Sequence, residues 1–297
     1  MDFKIRLGLT AAAAVVALAG CAAKPPLRDA KAIRADRQVE AQASAFESFM
    51  RNARAIDADF SGPASVAEGL RVGASYDPKQ MEAGMIAYAA IAALQDPKFV
   101  AGVRKAGRDK QLAKQLASRP DLAASLPGAD AGAARANAAL YRQGEALAAG
   151  GARVKKASYS IQRQAWAKVF VPDAKGRLTR VKQISGAGYR PVDGDQARLY
   201  AAVSEGGRRG GGASPVVSRG LAVAALTVLG EDGKARGLMS EPKSGMCLRV
   251  AKLNLYQCLA AAGPYYEDIY CLAQHGMLEP SGCATKAAGA PIRTAQR

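Results

Sequence analysis

The sequence predicts a mainly α protein: an irregular multi-helix domain closed by a C-terminal helical hairpin that two disulfides staple. Three observations carry that expectation. Of the 297 residues 49% are hydrophobic but only 6% aromatic, and much of the apolar share is alanine, the strongest helix former. The pairs Asp77-Pro78, Asp96-Pro97 and Ser214-Pro215 stand before apolar stretches, where an acidic or hydroxyl side chain caps free N–H groups and proline suits the first helical turn. Cys247, Cys258, Cys271 and Cys283 all fall in the last fifth of the chain.

Residues 1–20 read as an export leader. Lys4 and Arg6 precede an uncharged Ala/Val/Leu run over residues 7–19. A membrane-crossing helix needs about 20 apolar residues, so this run is too short for a durable span and has signal-peptide proportions. It ends in Leu18-Ala19-Gly20-Cys21. That box resembles the lipobox of bacterial lipoproteins. The resemblance covers residues 1–21 alone and implies cleavage before Cys21, with the thiol taking a diacylglycerol. Two or more acyl chains, palmitate among them, give stable anchoring. It further implies a lipid-anchored place in the cell envelope. Ala22, where aspartate is absent after the cysteine, points by analogy to the outer membrane facing the periplasm. Residues 21–30 are the lipidated tether, reaching roughly 30 Å when extended.

Residues 31–205 form the expected helical domain. A first helix spans residues 30–57, with Val39, Ala43, Phe46, Met50 and Ala53 on one stripe. At Asp77-Pro78, Gln80 is placed to close a capping box, and Met81, Met85, Tyr88 and Ile91 line one side of the helix that follows. Asp96-Pro97 starts another, Pro120 a short third, and residues 129–150 a fourth, ended by Gly150-Gly151. Tyr159, Gln162 and Trp166 sit at helical spacing in residues 154–170; a core anchor is favoured there over a sugar or cofactor platform. Residues 168–184 fit either a hairpin or a helix, the helix being favoured. The Gly/Arg-rich run within residues 206–215 is a loop or linker, lacking the Gly-Lys-Ser/Thr ending of a phosphate loop. Residues 216–283 are a C-terminal helical region, and residues 284–297 a disordered tail.

In an exported chain an even cysteine count suggests disulfides. Cys258 and Cys271 are centred on residue 264.5, and Cys247 and Cys283 on residue 265; both centres fall on the helix-breaking Gly263-Pro264. Antiparallel folding there favours nested bridges, Cys258–Cys271 inside and Cys247–Cys283 outside. The layout is similar in logic to twin-cysteine helical hairpins, although its spacings differ from that family's. A zinc site using His275 lacks the short Cys-x-x-Cys pairs that zinc favours. Glu267 and Asp268 occupy the first turn after Pro264, where carboxylates suit a helix N-terminus. Tyr256, Tyr265, Tyr266 and Tyr270 are expected to pack the hairpin.

The formal charge is +17; the leader removes Asp2, Lys4 and Arg6, leaving +16. Residues 98–119 hold seven basic side chains against Asp109, and residues 152–182 hold nine against Asp173. Outside the cytoplasm the partner of such charge is not nucleic acid. It is an anionic envelope component, or the charge is a solvated face. The chain has one histidine, which excludes mechanisms needing two. No Gly-x-Ser-x-Gly elbow or His-Glu-x-x-His is present, so no catalytic or metal-binding residue is assigned and no cofactor is implied. The expected function is a non-enzymatic envelope scaffold or binding protein, partnered with the membrane through its lipid and with envelope proteins or anionic components. The alternatives are an anionic glycan- or lipid-binding protein using residues 98–182, and a cell-wall or glycan hydrolase with paired carboxylates.

Overall fold

The computed structural model describes residues 33–289; the leader, Cys21 and the tether lie outside them, as do residues 290–297 of the expected tail. Among the described residues the chain is helical, and the one β-type contact is an antiparallel bridge between Phe170 and Pro264. No helix among them is long and apolar enough to cross a membrane.

Helix α3 (Pro78–Leu94) is the centre. It is apolar almost all round, and such a helix belongs in an interior. Helices α1 (Arg37–Arg54), α6 (Ala129–Ser160), α9 (Pro215–Val228) and α10 (Pro242–Ala261) pack around it. Two glycines permit the close crossings. A Cβ on Gly84 would stand 2.7 Å from the Gln42 carbonyl oxygen, and one on Gly220 2.8 Å from the Ala89 methyl. The predicted stripe of Val39, Ala43, Phe46, Met50 and Ala53 is buried on α1. That helix begins at Arg37, not residue 30, because the Asp36 carboxylate accepts the Gln38 N–H at 2.8 Å and sets the start.

The proline-marked starts are caps. Asp77 accepts the Gln80 N–H, Asp96 the N–H groups of Lys98 and Phe99 at the head of α4 (Pro97–Ala106), and Ser214 the Val217 N–H. The Gln80 side chain does not complete a capping box. It clasps the Tyr189 backbone instead, donating to its carbonyl at 2.8 Å and accepting its N–H at 2.6 Å.

Three other expectations are corrected. Gly150-Gly151 does not end a helix; α6 continues to Ser160. A Cβ at Gly150 would lie 2.9 Å from the Arg54 carbonyl oxygen, and one at Gly151 2.9 Å from Leu278 Cγ. These glycines serve close packing against α1 and the hairpin. The segment after Ser160 is not one helix but two short 3-10 turns, Ile161–Arg163 and Trp166–Lys168. Residues 284–289 are not a frayed tail. Ala284 and Ala287 are buried at the end of α12 (Glu279–Ala287), which packs on α6.

Residues 168–184 resolve mainly as helix α7 (Ala174–Ala187), capped by Asp173. The Gly/Arg run is a pinned loop: Arg208 reaches the buried Asp96 carboxylate at 2.5 Å, the Arg209 N–H donates to the Ala134 carbonyl at 2.9 Å, the Arg209 guanidinium lies over the Tyr141 ring, and Arg142 donates to the Gly206 carbonyl. The helices before and after it share one apolar core.

The C-terminal hairpin is present. Its first arm is α10. Its second runs through α11 (Tyr265–Cys271), a seven-residue π-helical segment Leu272–Leu278, and α12. The bridges are Cys258–Cys271 and Cys247–Cys283, the nested arrangement. In the π segment Leu272 sits against two glycines four residues apart on α2 (Pro63–Gly73): a Cβ on Gly73 would come within 2.2 Å of its Cδ1.

Candidate functional site

The hairpin tip is assembled from four parts of the chain. Glu267 accepts the Gly263 N–H at 2.8 Å, closing the turn between the arms. A short strap crosses it: the Val171 N–H donates to the Gly263 carbonyl at 2.9 Å, and the Tyr265 N–H to the Val169 carbonyl at 3.3 Å. The Phe170 ring then lies on Gly263, where any Cβ would approach it within 2.6 Å.

Below the tip, Arg177 of α7 is buried. It donates to Asp268 at 2.5 Å, to the Ala262 carbonyl at 3.2 Å and to the Leu259 carbonyl. Asp268 is also buried. Burial pushes its carboxyl up to about 6, while the guanidinium pulls the other way. The pair is therefore an internal tie between α7 and the hairpin, with both side chains almost wholly shielded from solvent. Glu267 and Asp268 do lie in the first turn of α11, as expected, but each has a specific partner there.

Beside this tie an open groove of about 320 Å³ runs between the end of α6 and the hairpin. Tyr159, Tyr266 and Tyr270 give it aromatic walls, Gln162 and Glu267 its polar points, and the Cys258–Cys271 bridge part of its floor. The Tyr159 and Tyr270 rings meet edge-on at 6.2 Å. Lys155 fixes that wall from behind, its ammonium 5.3 Å from the Tyr270 ring centre and 2.9 Å from Gln274 Oε1. Tyr159 is 56% exposed, so the core reading fails for it. Trp166 is half-buried against Tyr265, with ring centres 6.4 Å apart, and its indole N–H donates to Gln164.

The two basic stretches are separated. Residues 98–119 lie near the start of α6, where Gly132 abuts Phe99, whereas residues 152–182 lie at its far end. From Gly132 to Lys155 the helix rises roughly 35 Å. Only the second stretch borders the groove; Lys156 sits one turn from Tyr159 on α6 and is exposed.

Other chemically suggestive groups are engaged in the interior. Lys252 is 4% exposed; its ammonium donates to the Ala74 carbonyl at 2.9 Å and to Ser185 Oγ at 3.2 Å, 3.4 Å from the Tyr76 ring centre. Desolvation holds its pKa well below the ordinary lysine value. Serine and lysine in contact have the composition of a nucleophile and its base, but Ser185 is 3% exposed and donates to backbone carbonyls. Neither residue lines the groove. His275 Nδ1 is 2.7 Å from Glu279 Oε1, and Glu279 also accepts from Asn254. Sequence reasoning missed Arg177 and Phe170 as builders of the tip. The only sequence signal was the exceptional basic density of residues 152–182.

The chain matches no protein-family model, no curated protein and no solved structure.

Proposed function

We propose that the chain is a lipid-anchored envelope protein that binds an anionic glycan in the tyrosine groove and does not transform it. The observation that carries this reading is the groove itself. Exposed Tyr159 and half-buried Tyr266 and Tyr270 offer stacking surface for sugar rings, Gln162 and Glu267 offer hydrogen bonds, and the basic end of α6 supplies charge complementary to an acidic saccharide. Glu267 is the one carboxylate among the groove-lining residues, and it is engaged in the turn. A glycosidase of the usual kind needs two carboxyl groups flanking the bond it cleaves.

In this reading Cys21 carries the lipid after leader removal, and the domain stands on the periplasmic side of the outer membrane. Cell-wall peptidoglycan, a glycan that carries carboxylates on its stem peptides within reach of a tethered domain, is the ligand class that fits.

The test is retention of the mature chain on purified peptidoglycan sacculi at low and raised salt. Retention is expected to weaken with salt, because exposed charge contacts are screened. Tyr266→Ala with Tyr270→Ala is expected to reduce it at least about tenfold, since aromatic contacts contribute about 1 kcal/mol each beyond their buried area. Equal retention of this variant and the native chain would overturn the proposal.

A further inference from the structure

Among the described residues seven large hydrophobic side chains stand exposed, and six fall into two groups. Tyr159, Val169 and Phe170 surround the hairpin tip. Met246, Val250 and Leu253 form the second group, 56%, 45% and 52% exposed. They follow one another at steps of four and three on α10, so they make one stripe on its outward face. Scattered exposed hydrophobics need no explanation, but a contiguous stripe marks a contact surface.

The exposed charges around the stripe have one sign; the carboxylates nearest it, Glu241 at the N-cap of α10 and Glu82 beside Gly245, are buried. Helix α10 has Lys243, Arg249 and Lys252 and no acidic residue between Pro242 and Ala261. Lys252 is turned inward and bonded in the core, which leaves Lys243 and Arg249 on the exposed side. Lys182 of α7 and Lys286 of α12, helices that both pack on α10, are exposed as well. Glu279 of α12 is tied to His275 and Asn254. The helix is also preformed, since Cys247 and Cys258 fix it to the second arm of the hairpin, so binding does not have to fold it.

We propose that this outward face of α10 docks on an anionic phospholipid surface. An apolar stripe edged by lysine and arginine is the pattern of a helix that lies in the membrane interface. Each cation adds attraction to an anionic leaflet. A second copy of the chain fits less well, because a twofold contact through this face would bring the Lys243 and Arg249 cations of both copies into one interface. The inference is independent of the groove and of what the groove binds.

The experiment uses the full chain carrying Cys21→Ser, so that no acyl group contributes. Sedimentation with phosphatidylglycerol vesicles is compared with sedimentation on phosphatidylcholine vesicles. The anionic vesicles are expected to bind at least about tenfold more tightly, two exposed cations contributing about fivefold each. Met246→Gln, Val250→Gln and Leu253→Gln combined are expected to abolish that binding without loss of helical signal, since all three side chains face solvent. Lys243→Gln with Arg249→Gln is expected to weaken binding to anionic vesicles at least about tenfold, Lys182 and Lys286 keeping part of the attraction. The proposal is overturned if the native chain does not sediment with the anionic vesicles, or if the stripe variant sediments equally. It is also overturned if the chain self-associates through this face, with the stripe variant monomeric and vesicle binding absent.

Discussion

The interior around α3 and the C-terminal hairpin are held together in different ways. Around α3 large buried side chains such as Phe46, Met85 and Tyr88 alternate with alanine, and the helices approach until glycine is required, as at Gly84 and Gly220. Nothing covalent crosses that region. In the hairpin, α10 buries only one side, through Leu248, Ala251, Leu255 and Leu259, and its other side is open. There the fold relies on two disulfides and one buried ion pair. The comparison teaches that an alanine-rich chain obtains rigidity from proximity where helices surround one another. Where a helix has neighbours on one side only, specific ties take over, and the surface left open is available for binding.

The largest expected effect of breaking a tie is at Arg177. Arg177→Met would leave Asp268 buried without its partner and is expected to destabilise the chain by about 3–5 kcal/mol in urea unfolding near pH 8. The loss should be smaller near pH 5, where the carboxyl takes up a proton and no charge is left unpaired.

Next come the bridges. Replacing either cysteine pair by serine is expected to cost about 2–4 kcal/mol. The Cys247–Cys283 pair, 36 residues apart, should cost more than Cys258–Cys271, 13 apart, because the longer loop regains more freedom on unfolding. Hydrogen exchange after reduction should quicken in residues 242–287 before it quickens in α1, α3 and α9. Simultaneous quickening would erase the distinction between the two regions.

In the interior, Gly84→Ala is expected to cost about 1–3 kcal/mol by overpacking against the α1 backbone, as measured by the urea midpoint. The hairpin's own pH signature is smaller per step. The Asp268 carboxyl titrates at about 6 in the fold and near 4 when unfolded. Between those values the folded chain holds a proton that the unfolded chain has released. This group's contribution to stability therefore falls as pH rises, by up to about 1.4 kcal/mol per pH unit, and levels off above about 6.5. Asp268→Asn is expected to remove that slope from a series of urea midpoints.

The two regions also differed in how legible they were. Local signals read well: aspartate or serine before proline marks a cap wherever it occurs, and the four cysteines are symmetric about Gly263-Pro264, so the nested bridges followed from spacing. Gly150-Gly151 misled because glycine serves close packing as readily as helix termination, and only the neighbouring Arg54 backbone and Leu278 side chain distinguish the two. Residues 284–289 looked like a tail because short alanine stretches give no periodic signal, yet α6 covers them. The groove was half legible. Its tyrosines were visible in the sequence, but Tyr159 lies about a hundred residues from Tyr266 and Tyr270, and the strap from Val169 to Val171 has no local pattern. The Arg177–Asp268 tie, 91 residues apart, is a pairing that spacing within one helix does not reveal.

The most direct test of the binding account is hydrogen exchange of the oxidised, mature chain with and without soluble muropeptides. The account predicts added protection confined to residues 155–162 and 258–271, the two walls of the groove. Protection elsewhere with these walls unchanged, or no change at saturating muropeptide, would contradict it.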